Sequence, residues 1–134
     1  MRITPEIIER LKKDEIFVFG SNLAGRHGAG AALTAHKKFG ATTGRCHGLD
    51  NHSYGIPTKD ADLKILPLER IKKYVDNFIW DATNYPDLKF YVTKIGCGLA
   101  GYNSTQIAPL FKGAEKIENI YLPAEFLEIL ENEI

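Results

Sequence analysis

Two glycine-rich stretches have the residue types and the spacing needed to bind a phosphate group. The first follows the apolar run Ile16–Phe19, which is typical of a buried strand, and leads into a helix predicted over Ala29–Phe39. Its glycines are Gly20, Gly25, Gly28 and Gly30. A strand, a glycine loop and a helix in this order point backbone N–H groups and a helix dipole at a phosphate. An ordinary turn between a strand and a helix has the same pattern, so that alternative stays open.

The second stretch repeats this order more than seventy residues later. A strand predicted over Phe90–Ile95 runs into Gly96–Tyr102, and either Asn103 or Ser104 is suited to cap a following helix. Pro109 indicates that this helix kinks or begins only near Ala108. Two such loops at one edge of a sheet are suited to hold a diphosphate from both sides.

Lys59 and Asp60 are candidate polar groups at the end of a third strand. The segment Ala41–Lys59 predicts a loose hairpin with Ser53–Ile56 as its second arm, and we expect Pro57 to stop the pairing. Strand ends often face the binding crevice in α/β proteins. The alternative is an exposed lysine and aspartate in a turn.

Cys97 is a candidate thiol nucleophile, because a glycine loop before a helix stabilises a thiolate. The alternative is a buried structural cysteine behind the loop. The four histidines have no fixed spacing relative to Cys97 or to one another, and Cys46 and Cys97 lack zinc-site spacing. The sequence predicts neither a metal site nor a cofactor.

The remaining elements must position these loops. We expect an opening helix with Thr4 as its N-cap and Lys12–Lys13 at its end, an amphipathic helix from Pro67 to Ala82, a strand at Ile120–Leu122 and a terminal helix from Pro123. Strands that alternate with helices predict a single α/β domain over residues 1–134. Its expected architecture is a three-layer α/β/α fold with a mixed, largely parallel sheet.

The composition limits the partners. The 134 residues include 17 Lys and Arg and 17 Asp and Glu, so no net charge attracts the chain to nucleic acid or to a membrane. Hydrophobic and charged contents of 44% and 25% are typical of a soluble globular protein. The sequence contains neither an apolar run of membrane-spanning length nor a signal-peptide pattern, which predicts a cytoplasmic protein without a membrane partner.

The combined motifs resemble those of macro domains, which bind ADP-ribose and related NAD metabolites. The resemblance covers most of the chain from Ile16 onward and is carried by His27–Ala32, Lys37–Phe39, Pro57–Lys59 and Ile95–Gly101. These motifs are most similar to the branch containing the glutamate-linked and DNA ADP-ribosyl glycohydrolases. They are similar too to those of small bacterial and phage proteins of the macro-like type.

This resemblance implies a role for each matching residue. Gly28, Ala29 and Gly30 would approach a distal ribose and a phosphate, the loop 96–101 would wrap the diphosphate, and Lys59 matches the catalytic lysine of the hydrolases. Asn22 is the candidate for contacting the distal ribose, and Arg26 for lowering the pKa of the lysine or for pairing with phosphate. The complete implied ligand-binding set is Gly20, Ser21, Asn22, Arg26, His27, Gly28, Ala29, Gly30, Thr58, Gly96, Cys97, Gly98, Leu99, Ala100, Gly101 and Tyr102.

This sequence differs from the macro-domain pattern at two points. Glutamate-linked hydrolases carry an aspartate where this chain has Ala100, whereas the DNA-directed members have glycine. Many macro domains also open with a strand that ends in an adenine-binding aspartate, and we expect a helix there.

Three classes of function therefore remain. The first is a binder of ADP-ribose or a related nucleotide, and the second is a hydrolase that uses Lys59 to remove ADP-ribose from DNA or protein. The third is a structural or interaction domain whose loops bind nothing. The loop motifs favour the first class, and the oligomeric state stays open.

Overall fold

The computed structural model describes residues 2–98 and 101–132, and a five-stranded sheet lies at its centre. The strands are β1 (Glu15–Asn22), β2 (Gly48–Asp50), β3 (Ser53–Lys59), β4 (Lys89–Val92) and β5 (Ile120–Tyr121). Their order is β2-β3-β1-β4-β5. Strand β1 pairs in parallel with β3 and β4, β4 pairs in parallel with β5, and β2 is antiparallel to β3. The predicted mixed, largely parallel sheet and the predicted hairpin are both confirmed.

In the described part of the chain, four α-helices surround the sheet. They are α1 (Gly30–Lys38), α2 (Leu68–Asn84), α3 (Ser104–Ile107) and α4 (Ala124–Glu131). Helix α3 ends before Pro109, and a 3-10 turn over Ala108–Phe111 follows it directly. A second 3-10 turn covers Ala114–Lys116. Within residues 2–98 and 101–132, no helix combines the length and the hydropathy needed to cross a membrane.

The alternation of side chains along β1 produces the three layers. Phe17 and Phe19 point to one face, where they pack with Ala35 of α1 and with Phe39. Ile16 and Val18 belong to the larger core on the other face. That core contains the buried stripe of α2 (Ile71, Val75, Phe78 and Ala82) and the buried side of α4 (Phe126, Leu127 and Leu130). The predicted α/β/α architecture is therefore confirmed, and burial on both faces explains why the strands lack strict apolar–polar alternation.

The predicted opening helix is wrong. Residues 2–12 contain no helical turn, and Ile3 forms a parallel bridge with Leu122 at the edge of the sheet. The Thr4 N–H donates to the Leu122 carbonyl at 2.9 Å, and the Leu122 N–H donates to the Arg2 carbonyl at 3.3 Å. An isolated helix of about ten residues is marginal in water, so pairing with the sheet overrides the local signal.

Several strand boundaries also differ from the prediction: β1 continues past Phe19 to Asn22, and β5 ends at Tyr121. Pro57 does not stop the pairing, because it lies opposite Ser21 and the strand continues to Lys59. The register shifts between Ser21 and Asn22, and such an irregularity tolerates the missing N–H of proline. Strand β4 is shorter than predicted and ends at Val92.

Candidate functional site

A cavity of about 420 Å³ lies at the carboxyl ends of β1, β3 and β4. Because these three strands are parallel neighbours, the segments that follow them meet at one edge of the sheet. The cavity is lined by Gly20, Ser21, Asn22, Arg26, Gly28, Ala29, Gly30, Ala31, Ala32, Thr58, Lys59, Leu63, Thr93, Lys94, Ile95, Gly96 and Cys97. The expectation that both glycine loops lie at one edge is therefore confirmed.

Gly20 and Gly96 allow the two loops to approach each other closely. A Cβ atom on Gly20 would lie 3.5 Å from the Gly96 nitrogen and 3.3 Å from the Thr58 hydroxyl oxygen. Gly96 has φ +72°, and a Cβ atom there would lie 2.7 Å from Ile107 Cδ1. The left-handed backbone of Gly96 favours glycine whatever the cavity binds, and Gly20 leaves little room for a larger side chain.

The side chain of Asn22 holds the first loop in shape. Its Nδ2 donates to the Arg26 carbonyl at 2.7 Å, and its Oδ1 accepts from the Arg26 N–H at 3.1 Å. Gly25, at φ +69°, closes the same turn by donating to the Asn22 carbonyl at 2.9 Å. Asn22 lines the cavity, as the proposed ribose contact requires, but its amide is engaged by the loop.

Helix α1 begins at the cavity without a side-chain cap. Its N-cap residue, Ala29, has extended φ/ψ values of −155° and 161°, and the first turn contains no acidic residue. The first N–H groups of a helix have no intrahelical acceptor, and an alanine side chain provides none. A Cβ atom on Gly28 or Gly30 would meet nothing within 4 Å, so there is open space beside this end of the helix. This geometry suits an anion.

Helix α3, after the second loop, is closed by a capping box. The Asn103 side chain accepts from the Gln106 N–H at 3.1 Å, and the Gln106 side chain accepts from the Asn103 N–H at 3.0 Å. Asn103 is one of the two predicted caps. These N–H groups are occupied within the protein, so the end of α3 does not repeat the open end of α1.

The charged side chains that line the described part of the cavity are all basic: Arg26, Lys59 and Lys94. Lys94 is paired with Glu125 at 2.9 Å, and this hydrogen bond raises the pKa of Lys94 and lowers that of Glu125. Among the described residues, no carboxylate lies within ion-pairing distance of Arg26 or Lys59. The field in the cavity therefore favours an anionic group.

Lys59 is half-buried at the end of β3, opposite Asn22 in the sheet register. Its neighbour Asp60 does not line the cavity, because the Asp60 carboxylate accepts from the Asp62 and Lys64 N–H groups, both at 2.9 Å. The described lining thus contains a lysine that can approach a ligand but no acid to assist it.

Cys97 does not have the environment of an activated thiol. It is half-buried, and burial raises its pKa, so the thiol stays protonated at neutral pH. Its Sγ lies 3.9 Å from the Ser104 hydroxyl oxygen, which is not a general base. No histidine lines the described part of the cavity, which leaves the thiol without a base.

Several predicted site residues lie elsewhere or serve the scaffold. His27 is buried, with Nε2 at 2.9 Å from the Thr42 carbonyl and its ring 5.5 Å from that of Phe19. The Tyr102 hydroxyl donates to the Leu66 carbonyl at 2.7 Å. Neither lines the cavity, and neither do Gly98 and Gly101. Leu99 and Ala100 lie outside the described residues.

The hydroxyl groups of Ser21 and Thr58 line the cavity, but both are bonded to the backbone. Ser21 donates to the Cys46 carbonyl, and Thr58 donates to the Ser21 carbonyl at 3.3 Å. They fix the strand ends from which the loops begin.

Sequence reasoning missed six lining residues: Ala31, Ala32, Leu63, Thr93, Lys94 and Ile95. The reasoning used for Lys59 applies to Lys94 as well, since Lys59 ends β3, Lys94 closely follows β4, and both strands are parallel to β1 between them. Leu63 gives no such signal in the sequence, because only the turn after β3 brings it to the cavity.

A larger cavity, of about 600 Å³, lies away from the glycine loops, beside β5 and α4. Its floor is apolar (Ile120, Leu122, Leu127 and Leu130), and its rim carries charges of both signs. It lacks the convergence of loops, helix N-terminus and cations that marks the smaller cavity. Among the residues that the structure describes, no cluster of His, Cys, Asp or Glu is suited to hold a metal ion.

Comparison with known proteins supports the fold alone. No protein-family model and no curated protein matches this chain. A solved structure of a protein of unknown function from Bacteroides thetaiotaomicron is similar, with a TM-score of 0.57 and 15% sequence identity. The match covers 81% of this chain and 87% of that one. At this identity, the likeness shows that the two chains share an α/β fold.

Proposed function

We propose that this protein binds ADP-ribose or a related NAD-derived nucleotide in the cavity between its two glycine-rich loops. The observation that carries the proposal is the uncapped N-terminus of α1, which opens onto a cavity whose described charged residues are all basic. A helix N-terminus with open N–H groups favours a phosphate, and Arg26 and Lys59 add to its attraction.

The size and lining of the cavity support a ligand larger than a single phosphate. A volume of about 420 Å³ falls within the range of small-molecule sites, which is roughly 300–1,000 Å³. Small residues around Gly28 leave open space on the side of the first loop, and Gly20 and Gly96 form the packed side of the cavity.

The resemblance to macro domains adds a specific ligand to this chemistry. Many macro domains open with a strand, and the opening segment of this protein is extended and bridges from Ile3 to Leu122. In this respect it is closer to that family than the expected helix would be. Residues 2–13 nevertheless contain no aspartate, so the expected adenine contact still has no counterpart. The phosphates therefore have candidate partners in α1, Arg26 and Lys59, whereas the opening segment offers none for the base.

Isothermal titration with ADP-ribose, AMP and NAD⁺ tests the proposal directly. We expect measurable affinity for ADP-ribose and weaker affinity for AMP, because AMP has no diphosphate. The variant Arg26→Glu should weaken binding, because it replaces a cation that lines the cavity with an anion. Unchanged affinity in a folded Arg26→Glu protein would place the site elsewhere.

Hydrolysis of an ADP-ribosyl bond is the second candidate, and the position of Lys59 in the cavity favours it. The bond broken would join the ribose C1″ to a base or a protein side chain, with water as the second substrate. No carboxylate lines the described part of the cavity, so the rate would depend mainly on this lysine. Lys59→Ala should then abolish release of ADP-ribose from modified DNA or protein and leave ADP-ribose binding nearly unchanged. If the wild-type protein releases nothing from either substrate, only the binding function stands.

A further inference from the structure

The turn that follows β3 carries two exposed apolar side chains beside the cavity. Leu63 is 48% exposed and lines the cavity, and Ile65 is 47% exposed. A Cβ atom on Gly101 would lie 2.3 Å from Ile65 Cδ1, so Ile65 packs closely on the glycine that ends the second loop. The turn over residues 60–65 thus extends from the end of β3 to the second loop.

The backbone at Leu63 is held in a conformation that leucine rarely adopts. Its φ is +64°, in the left-handed region, where asparagine or glycine would be unstrained. Four hydrogen bonds fix the turn: the Asp60 carboxylate accepts from the Asp62 and Lys64 N–H groups, the Asp60 carbonyl accepts from the Leu63 N–H, and the Asp60 N–H donates to the Lys64 carbonyl. An exposed leucine in a strained position improves neither burial nor backbone energy, and such outliers often mark functional sites.

Leu63 also differs in chemistry from the rest of the cavity. Among the described lining residues it is the one large apolar side chain with substantial exposed surface, since Ile95 is only 2% exposed. Lys59 pairs with Ile65 across the turn, which places Leu63 at the Lys59 end of the cavity. The site therefore combines the open N-terminus of α1 with one apolar wall beside Lys59.

We propose that Leu63 determines ligand specificity by packing against the planar ring of a nucleotide base, so that the cavity selects a nucleotide over a bare diphosphate. This inference rests on the proposed nucleotide-binding function. An aromatic ring presents an apolar face, and contact with Leu63 removes both surfaces from water. A bare diphosphate has no such face and gains nothing from the leucine.

The test compares three ligands on four proteins. NAD⁺, ADP-ribose and pyrophosphate are titrated into the wild type, Leu63→Asn, Leu63→Met and the control Ile7→Asn, whose residue is 77% exposed and lies outside the cavity. We expect Leu63→Asn to lower the affinity for NAD⁺ or ADP-ribose by about tenfold. The affinity for pyrophosphate should fall by less than about twofold. Leu63→Met keeps an apolar side chain and should retain nucleotide affinity. If only NAD⁺ loses affinity, the ring that packs against Leu63 is nicotinamide. If NAD⁺ and ADP-ribose both lose affinity, the ring is adenine, which both carry.

Thermal unfolding separates this role from a structural one. Asparagine tolerates the left-handed conformation, so Leu63→Asn should be at least as stable as the wild type while it binds nucleotide less well. If Leu63→Asn loses affinity equally for pyrophosphate and the nucleotides, or loses none, the role of Leu63 is wrong. The proposed function would then still stand. If the wild type binds none of the three ligands, the proposed function itself is wrong.

Discussion

The two strand–loop–helix units look alike in sequence, yet they end differently. The first leads into α1, nine residues long, whose N-cap Ala29 has no side-chain hydrogen bond. The second leads into α3, four residues long, whose first N–H groups are closed by the capping box of Asn103 and Gln106. The basic residues differ as well, because Lys94 of the second unit is paired with Glu125.

This difference teaches that a glycine loop before a helix is not by itself an anion site. Helix N–H groups attract an anion only while no side chain of the protein accepts from them. In this protein the first unit offers open N–H groups, and the second contributes close packing through Gly96. We therefore expect variants of the first unit to change affinity and variants of the second to change mainly stability.

The largest expected effect is that of Gly28→Glu on ADP-ribose binding. Gly28 lines the cavity and has open space around it, and its φ lies outside the strained left-handed range, so the variant should fold. A carboxylate placed beside the ligand phosphates costs several kcal/mol, which corresponds to a loss on the order of 100-fold or more in affinity. Titration calorimetry measures this change. Gly28→Gln separates bulk from charge, and equal affinity of Gly28→Glu and wild type would show that α1 does not face the phosphates.

Ala29→Asn should close the open helix and convert the first unit into the second type. An asparagine at an N-cap position stabilises a protein by about 1 kcal/mol relative to alanine, and the extended backbone of Ala29 suits it. The new side chain accepts from the same N–H groups as the ligand, so affinity should fall by about tenfold. Thermal unfolding and titration should therefore change in opposite directions. A rise in stability without a loss of affinity would contradict the proposed use of these N–H groups.

Asn103→Ala removes the cap of α3 and should give the complementary result. Loss of the capping box should lower the free energy of unfolding by about 1 kcal/mol, which urea denaturation detects. ADP-ribose affinity should change by less than about twofold, because these N–H groups face the capping side chains. Wild-type stability together with a large loss of affinity would mean that the roles of the two helices are reversed.

Glu125→Gln should have the smallest effect. Removing the carboxylate releases Lys94 from its ion pair, so affinity for ADP-ribose should rise by about two- to threefold at low salt. The hydrogen bond from Lys94 lowers the pKa of Glu125, so the wild-type pair persists above that pKa and is lost as the pH falls through it. The affinities of variant and wild type should then converge at acidic pH. A gap that stays constant with pH would show that the pair does not influence the ligand.

Several features of the fold and the site are determined by the sequence alone. The spacing of apolar residues in α2 predicts the buried stripe of Ile71, Val75, Phe78 and Ala82, because helical periodicity sets which side chains share a face. Residue type narrows the cap of α3 to Asn103 or Ser104, and the structure has Asn103 in that position. The meeting of the two loops follows from topology, since parallel neighbouring strands place their carboxyl ends together.

Other features were decided only by tertiary structure. The opening segment pairs with Leu122, which is more than a hundred residues away, and no local pattern in residues 2–13 encodes that partner. His27 and Tyr102 stand within the predicted motifs, but their side chains are bonded to Thr42 and Leu66. Leu63 reaches the cavity because a turn fixed by Asp60 brings it there. The residue types of a segment determine which polar groups it carries. Long-range packing decides which of those groups face the cavity, because each buried polar group must find its partner somewhere in the folded chain.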